Sequence, residues 1–336
     1  MTQPTLGSVH LDAALTQIAT AYVQDNDAYI ADKIFPAVPV EHRSDKYFKY
    51  RKGDFFRDEA QERADGTESA GSGYNLDTDS YLAEVYALHQ DIGEQVRSNA
   101  DPAVDPELGA TKMLMQKLLI KRDRLFVTKY MTTGLWGTSG STDVTGSATG
   151  VPGTTTTAYW NDDANGDPFT DIAVQQETIL QNTGFEPNVL VLSYSAYQAL
   201  RKNPLVVDRI KYTSPAFAGK INAQLLAEAF DIDRVVVSKA VYNSANEGAT
   251  DSFSFVTGKD ALLCYAATSP GLMVPSAGYI FPWQGFTGMN NMGVRVSSIP
   301  MPWRGLGTIR TEAEMAFDMK LVGSDLGVVF AGIASV

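Results

Sequence analysis

Cysteine is almost missing from this chain of 336 residues, and histidine is nearly so. A single Cys264 excludes an internal disulfide within one chain and fits a reducing compartment. The three histidines, His10, His42 and His89, stand apart from any Cys, Asp or Glu at metal-ligand spacing. Surface or interface histidines are the plain reading of such placement. Basic charge is also short. Lys and Arg total 27 against 39 Asp and Glu, a formal net charge of -12. That balance argues against a protein whose main task is gripping nucleic acid, although an acidic wall can lie beside DNA without sticking to it. Long apolar runs are lacking too. Met1 to Asp12 has no apolar segment of signal-peptide type, and Val328 to Ala334 is far too short to span a bilayer. The expectation is a soluble protein that stays where it is made, with no membrane partner.

Catalytic motifs are equally scarce. There is no Gly-x-Ser-x-Gly elbow, no Walker loop and no His-Glu-x-x-His. Gly305-Leu306-Gly307 lacks the third glycine of a dinucleotide fingerprint. Asn161 to Asp167 has some features of a calcium loop, but its first position is Asn and its twelfth is Ile172, so a turn-rich surface loop is expected. Cys264 sits in Leu262-Leu263-Cys264-Tyr265, where a thiol is core filler. No catalytic, cofactor-binding or metal-binding residue is assigned.

What is present is a sequence of differently textured segments. Leu11, Leu15 and Ile18 have helical spacing, and the chain then enters Ile34-Phe35-Pro36-Ala37-Val38-Pro39-Val40. Two prolines three apart force extended backbone, so residues 1–45 read as an apolar arm that needs a surface to lie on. Lys46 to Tyr50 and Tyr81 to Tyr86 are aromatic β-prone runs, separated by a polar, glycine-dotted stretch from Arg57 to Ser80. The simplest drawing is a long hairpin with a mobile tip, which is marginal alone in water. Asp105-Pro106-Glu107 then opens the strongest helix, predicted over 106–133, with Leu108, Met115, Leu119, Phe126 and Tyr130 as its stripe and Gly134 as its stop. It would be about 42 Å long at ~1.5 Å per residue.

Beyond a Gly/Ser/Thr-rich stretch from Gly134 to Gly153 the texture becomes α/β. Helices are predicted at Asp171–Thr183, Ser195–Lys202 and Ala218–Phe230. Strands are predicted at Asn188–Leu192, Val235–Val237, Phe253–Phe255 and Leu262–Ala266. From Gly293 the chain alternates as strands do, through Val294, Val296 and Ser298, then Ile309, Thr311 and Ala313. The long helix carries a charge anomaly: Lys112, Lys117, Lys121, Arg122, Arg124 and Lys129 stand against only Asp123. The plainer reading is a solvated face, or pairing with acids elsewhere such as Asp58, Glu59 and Glu62. The sharper one makes Lys117, Lys121 and Arg124 an inner basic face that meets packaged DNA or an acidic scaffold.

The element order is extended arm, long hairpin, long helix, α/β block and terminal strands. It resembles the shell subunit of tailed bacteriophages, the α+β fold named after the Hong Kong 97 phage. Ile30 to Val40, Tyr47 to Tyr50 with Phe55 to Asp58, Val207 to Tyr212, Ile232 to Asn243, and Ser276 to Tyr279 with Phe281 to Trp283 carry the resemblance. It implies four regions: an N-terminal arm, 1–45; an extended loop, 46–90; a peripheral domain, 91–165 and 291–336; and an axial domain, 166–290. It also implies a major capsid protein, not an enzyme, that meets copies of itself in pentamers and hexamers. Ile34, Phe35, Val38, Tyr47, Phe48, Tyr50, Phe55, Phe56, Arg57, Asp58, Glu59 and Glu62 would then be inter-subunit contacts.

Its other partners would be a portal protein at one vertex, a possible decoration protein and packaged double-stranded DNA, bound without sequence recognition. The virion would be assembled in the host bacterial cytoplasm. Some members of the family cross-link a loop lysine to a neighbour; here no lysine occurs between Lys52 and Lys112, so a non-covalent shell is implied. The short start implies a separate scaffolding protein. The rival readings are an encapsulin-like compartment, another phage part such as a tail tube or portal, and an α/β hydrolytic enzyme. The last would need a polar constellation that the histidine-free block from Asn161 to Trp283 does not offer.

Overall fold

The computed structural model describes residues 24–100, 105–137, 143–213, 221–271, 273–285 and 288–335. The helical spacing at Leu11, Leu15 and Ile18, and His10, lie outside the described residues. In chain order the elements begin with α1 (Ala31–Ile34), β1 (Ser44–Tyr50), α2 (Lys52–Phe55), β2 (Leu76–Leu82), β3 (Glu84–Ile92), α3 (Glu94–Ser98) and α4 (Pro106–Tyr130). There follow β4 (Val144–Ser147), β5 (Thr156–Ala158), α5 (Pro168–Thr183), β6 (Val189–Ser193), α6 (Tyr194–Lys202), α7 (Pro204–Thr213) and α8 (Ala223–Phe230). The remainder are β7 (Arg234–Ser238), β8 (Val241–Asn243), β9 (Phe253–Phe255), β10 (Ala261–Cys264), β11 (Gly278–Pro282), β12 (Val294–Pro300), β13 (Ile309–Leu321) and β14 (Gly327–Ala331).

Two sheets carry the fold. β13 is the centre of a four-stranded sheet: β3 and β12 both register against Ile309–Met315, one on each edge, and β11 pairs with Phe317–Leu321. The other sheet has six strands in the order β5-β4-β14-β10-β6-β7. Its Val189, Val191, Leu262, Cys264 and Val329 share one core with the spine helix α4 and with β13. Alternate residues, Leu190, Leu192, Leu263, Val328 and Phe330, face a second core closed by α5, α6, α7 and α8. That alternation is the period-two pattern of a strand buried on both faces.

The strands sort differently from the division implied by resemblance. β4, β5 and β14, placed in the peripheral domain, complete the six-stranded sheet of the α/β block, while β11, placed in the axial domain, belongs to the sheet of β13. The physical reason is that strand pairing is non-local: β14 lies between β10 and β4, whose partners are far away in sequence. The hairpin is also shorter than the predicted loop. β1 pairs with β2 from Ser44↔Leu82 to Tyr50↔Leu76, Ala83 is fully buried, and residues 84–92 leave as β3.

Local signals work well where they apply. The Asp105 side chain accepts from the Glu107 and Leu108 N–H groups ahead of Pro106, and Asp167 does the same for Phe169 and Thr170 ahead of Pro168. Gly184 ends α5 at φ 74, in the left-handed region that favours glycine. The spine helix ends at Tyr130, earlier than predicted, with Met131 as its cap. Its buried stripe is Ala110, Leu114, Leu118, Arg122, Phe126 and Tyr130, whereas Leu108 is 52% exposed. The predicted stripe was rotated because the helix is covered on more than one side, by β13, by the arm, and by a small cluster of Tyr29, Ala240 and Val256 that meets Leu119 and Val127.

Candidate assembly surface

The arm and the hairpin were expected to carry inter-subunit contact and the spine helix a basic face, and the fold treats the three differently. The arm is the first. Ile34 and Phe35 are 1% and 3% exposed and belong to the chain's own core, with the Phe35 ring tilted against Tyr130 at a centroid distance of 4.6 Å. They therefore drop out of the contact set, because the chain itself supplies the surface the arm needed. Val38 is half-buried, and its N–H donates to the Ile280 carbonyl at 2.7 Å. Val40 repeats the pairing on Pro282, so the arm extends the edge of β11.

The hairpin is the second. At its root Phe281 stacks on Tyr81 at 4.8 Å and on Tyr47 at 5.6 Å, and the Leu82 N–H donates to Asp318 at 2.9 Å. The Tyr47 hydroxyl donates to Asp79, and burial with that carboxylate raises its pKa well above the tyrosine range. Farther out, Tyr50, Phe55 and Tyr74 form a ring trio with centroids 5.7 to 6.0 Å apart. Asp54 caps the Asn75 N–H at 2.8 Å and pairs with Arg57 at 3.1 Å. Arg57 also meets Glu59 at 3.7 Å. Lys52 pairs with Asp325, and the Phe56 ring lies against Gly184 at the end of α5.

Beyond that point residues 57–73 have no helix or strand, and almost all are exposed, Asp58 and Glu62 among them. Phe48 (59%), Phe55 (50%) and Phe56 (63%) present large apolar area to solvent, as does Tyr74, which sequence reasoning passed over. Clustered exposed aromatics mark an interaction surface more strongly than scattered ones. A second apolar tip was also missed. Trp303 and Leu306 are 73% and 95% exposed on the turn between β12 and β13. Arg304 and Arg310 both bind Asp91, at 2.6 and 2.7 Å, and Arg310 holds that carboxyl below its usual range. The Trp-Arg-Gly-Leu run was the available signal.

The spine helix is the third. Lys117, Lys121 and Arg124 are exposed and fall on one helical face with Met113 and Thr128. Lys121 Nζ lies 5.4 Å from the Tyr86 ring centroid and the Arg124 guanidinium 4.7 Å from that of Tyr242. None of the three has a carboxylate partner among the described residues. Arg122 behaves otherwise: it is buried and pairs with Asp32 at 3.0 Å.

Chemistry is not concentrated anywhere comparable. Cys264 is fully buried and its thiol is pushed up to about 12 by burial. His42 and His89 are exposed, and among the described residues no three His, Cys, Asp or Glu side chains come together as a metal site. Asp162 accepts from the N–H groups of Ala164 and Asn165, closing the Asn161–Asp167 turn on itself. A cavity of about 320 Å³ lies between Gln224, Ala227, Glu228, Asp231, Ile232 and Asp233. No described helix is long and apolar enough to cross a membrane.

No family model matches the chain. Its sequence is 24% identical over 261 residues to the major capsid protein of Burkholderia phage BcepMu, covering 78% of each. The crystal structure of a phage-related protein from Bordetella bronchiseptica superposes with a TM-score of 0.66 at 22% identity, over 92% of this chain and 94% of that one. The capsid of cyanophage P-SCSP1u gives 0.58 at 11% identity, over 98% and 95%. The α+β architecture is the Hong Kong 97-type capsid fold.

Proposed function

We propose that this chain tiles an icosahedral phage head through pentamers and hexamers, and that its extended hairpin reaches onto neighbouring copies. The observation that supports this most is the hairpin itself. Its root is stapled to the body by Phe281, while its outer half exposes Phe48, Phe55, Phe56 and Tyr74 with no core beneath them. Tyr47, Tyr50, Arg57, Asp58, Glu59, Glu62 and Val38 complete the proposed contact set. Directional contacts of this kind close into rings when the rotation between copies closes. A portal protein at one vertex, a separate scaffolding protein and a decoration protein are the remaining partners of this reading. Double-stranded DNA would be enclosed without sequence recognition, and assembly would take place in the host cytoplasm.

Electron microscopy of the purified chain, with and without a scaffolding protein, tests it. Closed shells or free pentamers and hexamers are expected. Tubes or sheets would leave the lattice intact and show that a curvature-setting partner is needed. A well-folded monomer under every condition would end the reading. Particles holding cargo protein in place of DNA would favour the encapsulin-like compartment.

For the cationic face of the spine helix we favour pairing with acids of a neighbouring copy, since the loop tip offers Asp58, Glu59 and Glu62 while the chain as a whole is acidic. Changing Lys117, Lys121 and Arg124 together to Gln is expected to lower shell yield severalfold at low salt and to leave DNA content per shell unchanged. Normal yield with reduced DNA would point instead to an inner face that meets the genome.

A further inference from the structure

A helix of four residues cannot stand by itself, because its nucleus costs more than one turn of hydrogen bonds returns. Yet α1 buries Ala31 and Ile34 completely and is held at both ends by charges from elsewhere in the chain. At its start, the buried Asp123 carboxylate of the spine helix accepts the Ile30 N–H at 3.1 Å and the Ala31 N–H at 3.0 Å. At its end, the Arg234 guanidinium of β7 donates to the Lys33 and Ile34 carbonyls, each at 2.9 Å. Negative charge at the start and positive charge at the end match the helix dipole. The flanking residues continue the attachment. Gln24 exchanges two side-chain hydrogen bonds with the backbone of Val241, Lys239 donates to the Ala28 carbonyl, and Val38 and Val40 pair with the edge of β11.

Residues 24–40 thus touch the spine helix, the six-stranded sheet and the four-stranded sheet in turn. We propose that they form a releasable latch, which ties the spine helix to both sheets and opens as a local unit with Asp123 as its keystone. Opening would break these hydrogen bonds and withdraw Ile30, Ala31, Ile34 and Phe35 from the main core, but it would separate no two strands of either sheet. This holds whether or not the subunit assembles.

The keystone makes the latch pH-sensitive. The groups facing Asp123 are Arg122 on its own helix and Asp32 and Tyr29 on the arm. Burial, aided by Asp32, pushes the carboxyl up to about 6, against the pull of the Ala31 and Ile30 N–H groups and Arg122. In an open latch the solvated carboxyl would return to the ordinary range near ~3.9. The closed state therefore binds the proton more tightly. Opening becomes easier as pH rises from about 4 to about 6 and stays easy above it, by up to roughly a hundredfold in the opening equilibrium.

Hydrogen exchange of the full-length, unassembled chain tests this. After correction for intrinsic chemistry, peptides covering 24–40 should exchange about ten times faster at pH 7.5 than at pH 5, while β6 and β10 stay equally protected. Asp123→Asn, which keeps the shape without the charge, should remove that pH dependence. Arg234→Ala should speed arm exchange at both pH values and leave their ratio intact. Arm protection that always moves in step with β6 and β10 would overturn the latch. A pH dependence that survives in Asp123→Asn would overturn the keystone.

Discussion

A subunit in which residues 57–73 are replaced by a four-residue Gly-Ser linker is expected to fold normally and to form no closed shells. The segment contributes nothing to either core: it has no helix or strand and is exposed nearly throughout. Its internal contacts stay local, as in the Thr67 N–H donating to the Ala64 carbonyl and Arg63 Nε donating to the Thr67 carbonyl. Its ends are already close, since the Phe55 and Tyr74 rings meet with centroids 5.7 Å apart, so a short linker spans the gap. Shortening the loop reduces its closure entropy, and the folded state should gain about 1 kcal/mol. Assembly should fail because the reach between copies is lost while the body is untouched. Thermal melting and sedimentation of the same sample check both halves. Shells at ordinary yield would show that the tip is dispensable.

Trp136→Ala should cost the fold about 3–5 kcal/mol, the range for deleting a fully buried large aromatic side chain. The Trp136 side chain is fully buried just past the spine helix, and its indole N–H donates to the Tyr130 carbonyl at 2.7 Å. That carbonyl lies in the last turn, where no helical partner remains. The ring also covers Gly327 at the start of β14, where an added Cβ would meet it at 2.5 Å. Removing it leaves a void between helix and sheet and an unpaired carbonyl. With roughly 2.1 cal/mol/K per residue of unfolding entropy, the melting temperature should fall by about 4–7 °C. Gly327→Val would push into the same ring from the other side. Because the two changes share one site, their effects should not add. An unchanged melting temperature in Trp136→Ala would mean that the junction of spine helix and β14 carries little of the stability.

The two predictions divide the molecule into a body that folds and a loop that connects, and the sequence made that division visible. The loop shows itself by what it lacks, since the stretch from Arg57 to Ser80 has no apolar period with which to build a core. The exposed aromatic run ahead of it, and the missing histidines and motifs, were legible for the same reason.

What the sequence determined by itself was local. Asp105-Pro106 starts a helix because side-chain caps and proline geometry act within three residues; the same signal at Asp167-Pro168 went unread, that helix being expected only from Asp171. Gly184 ends one because its backbone angle needs no distant partner. The tertiary structure decided everything that depends on which surfaces meet. It turned Leu108 outward and Leu114 and Leu118 inward, carried β14 into the six-stranded sheet, and buried Ile34 and Phe35 in the chain's own core. It also split the charges of one helical run, leaving Lys117, Lys121 and Arg124 in solvent while Arg122 and Asp123 went inside to hold the arm. Periodicity reports that a residue is apolar or charged. Only the packing of strands and arm around the spine helix reports what each one faces.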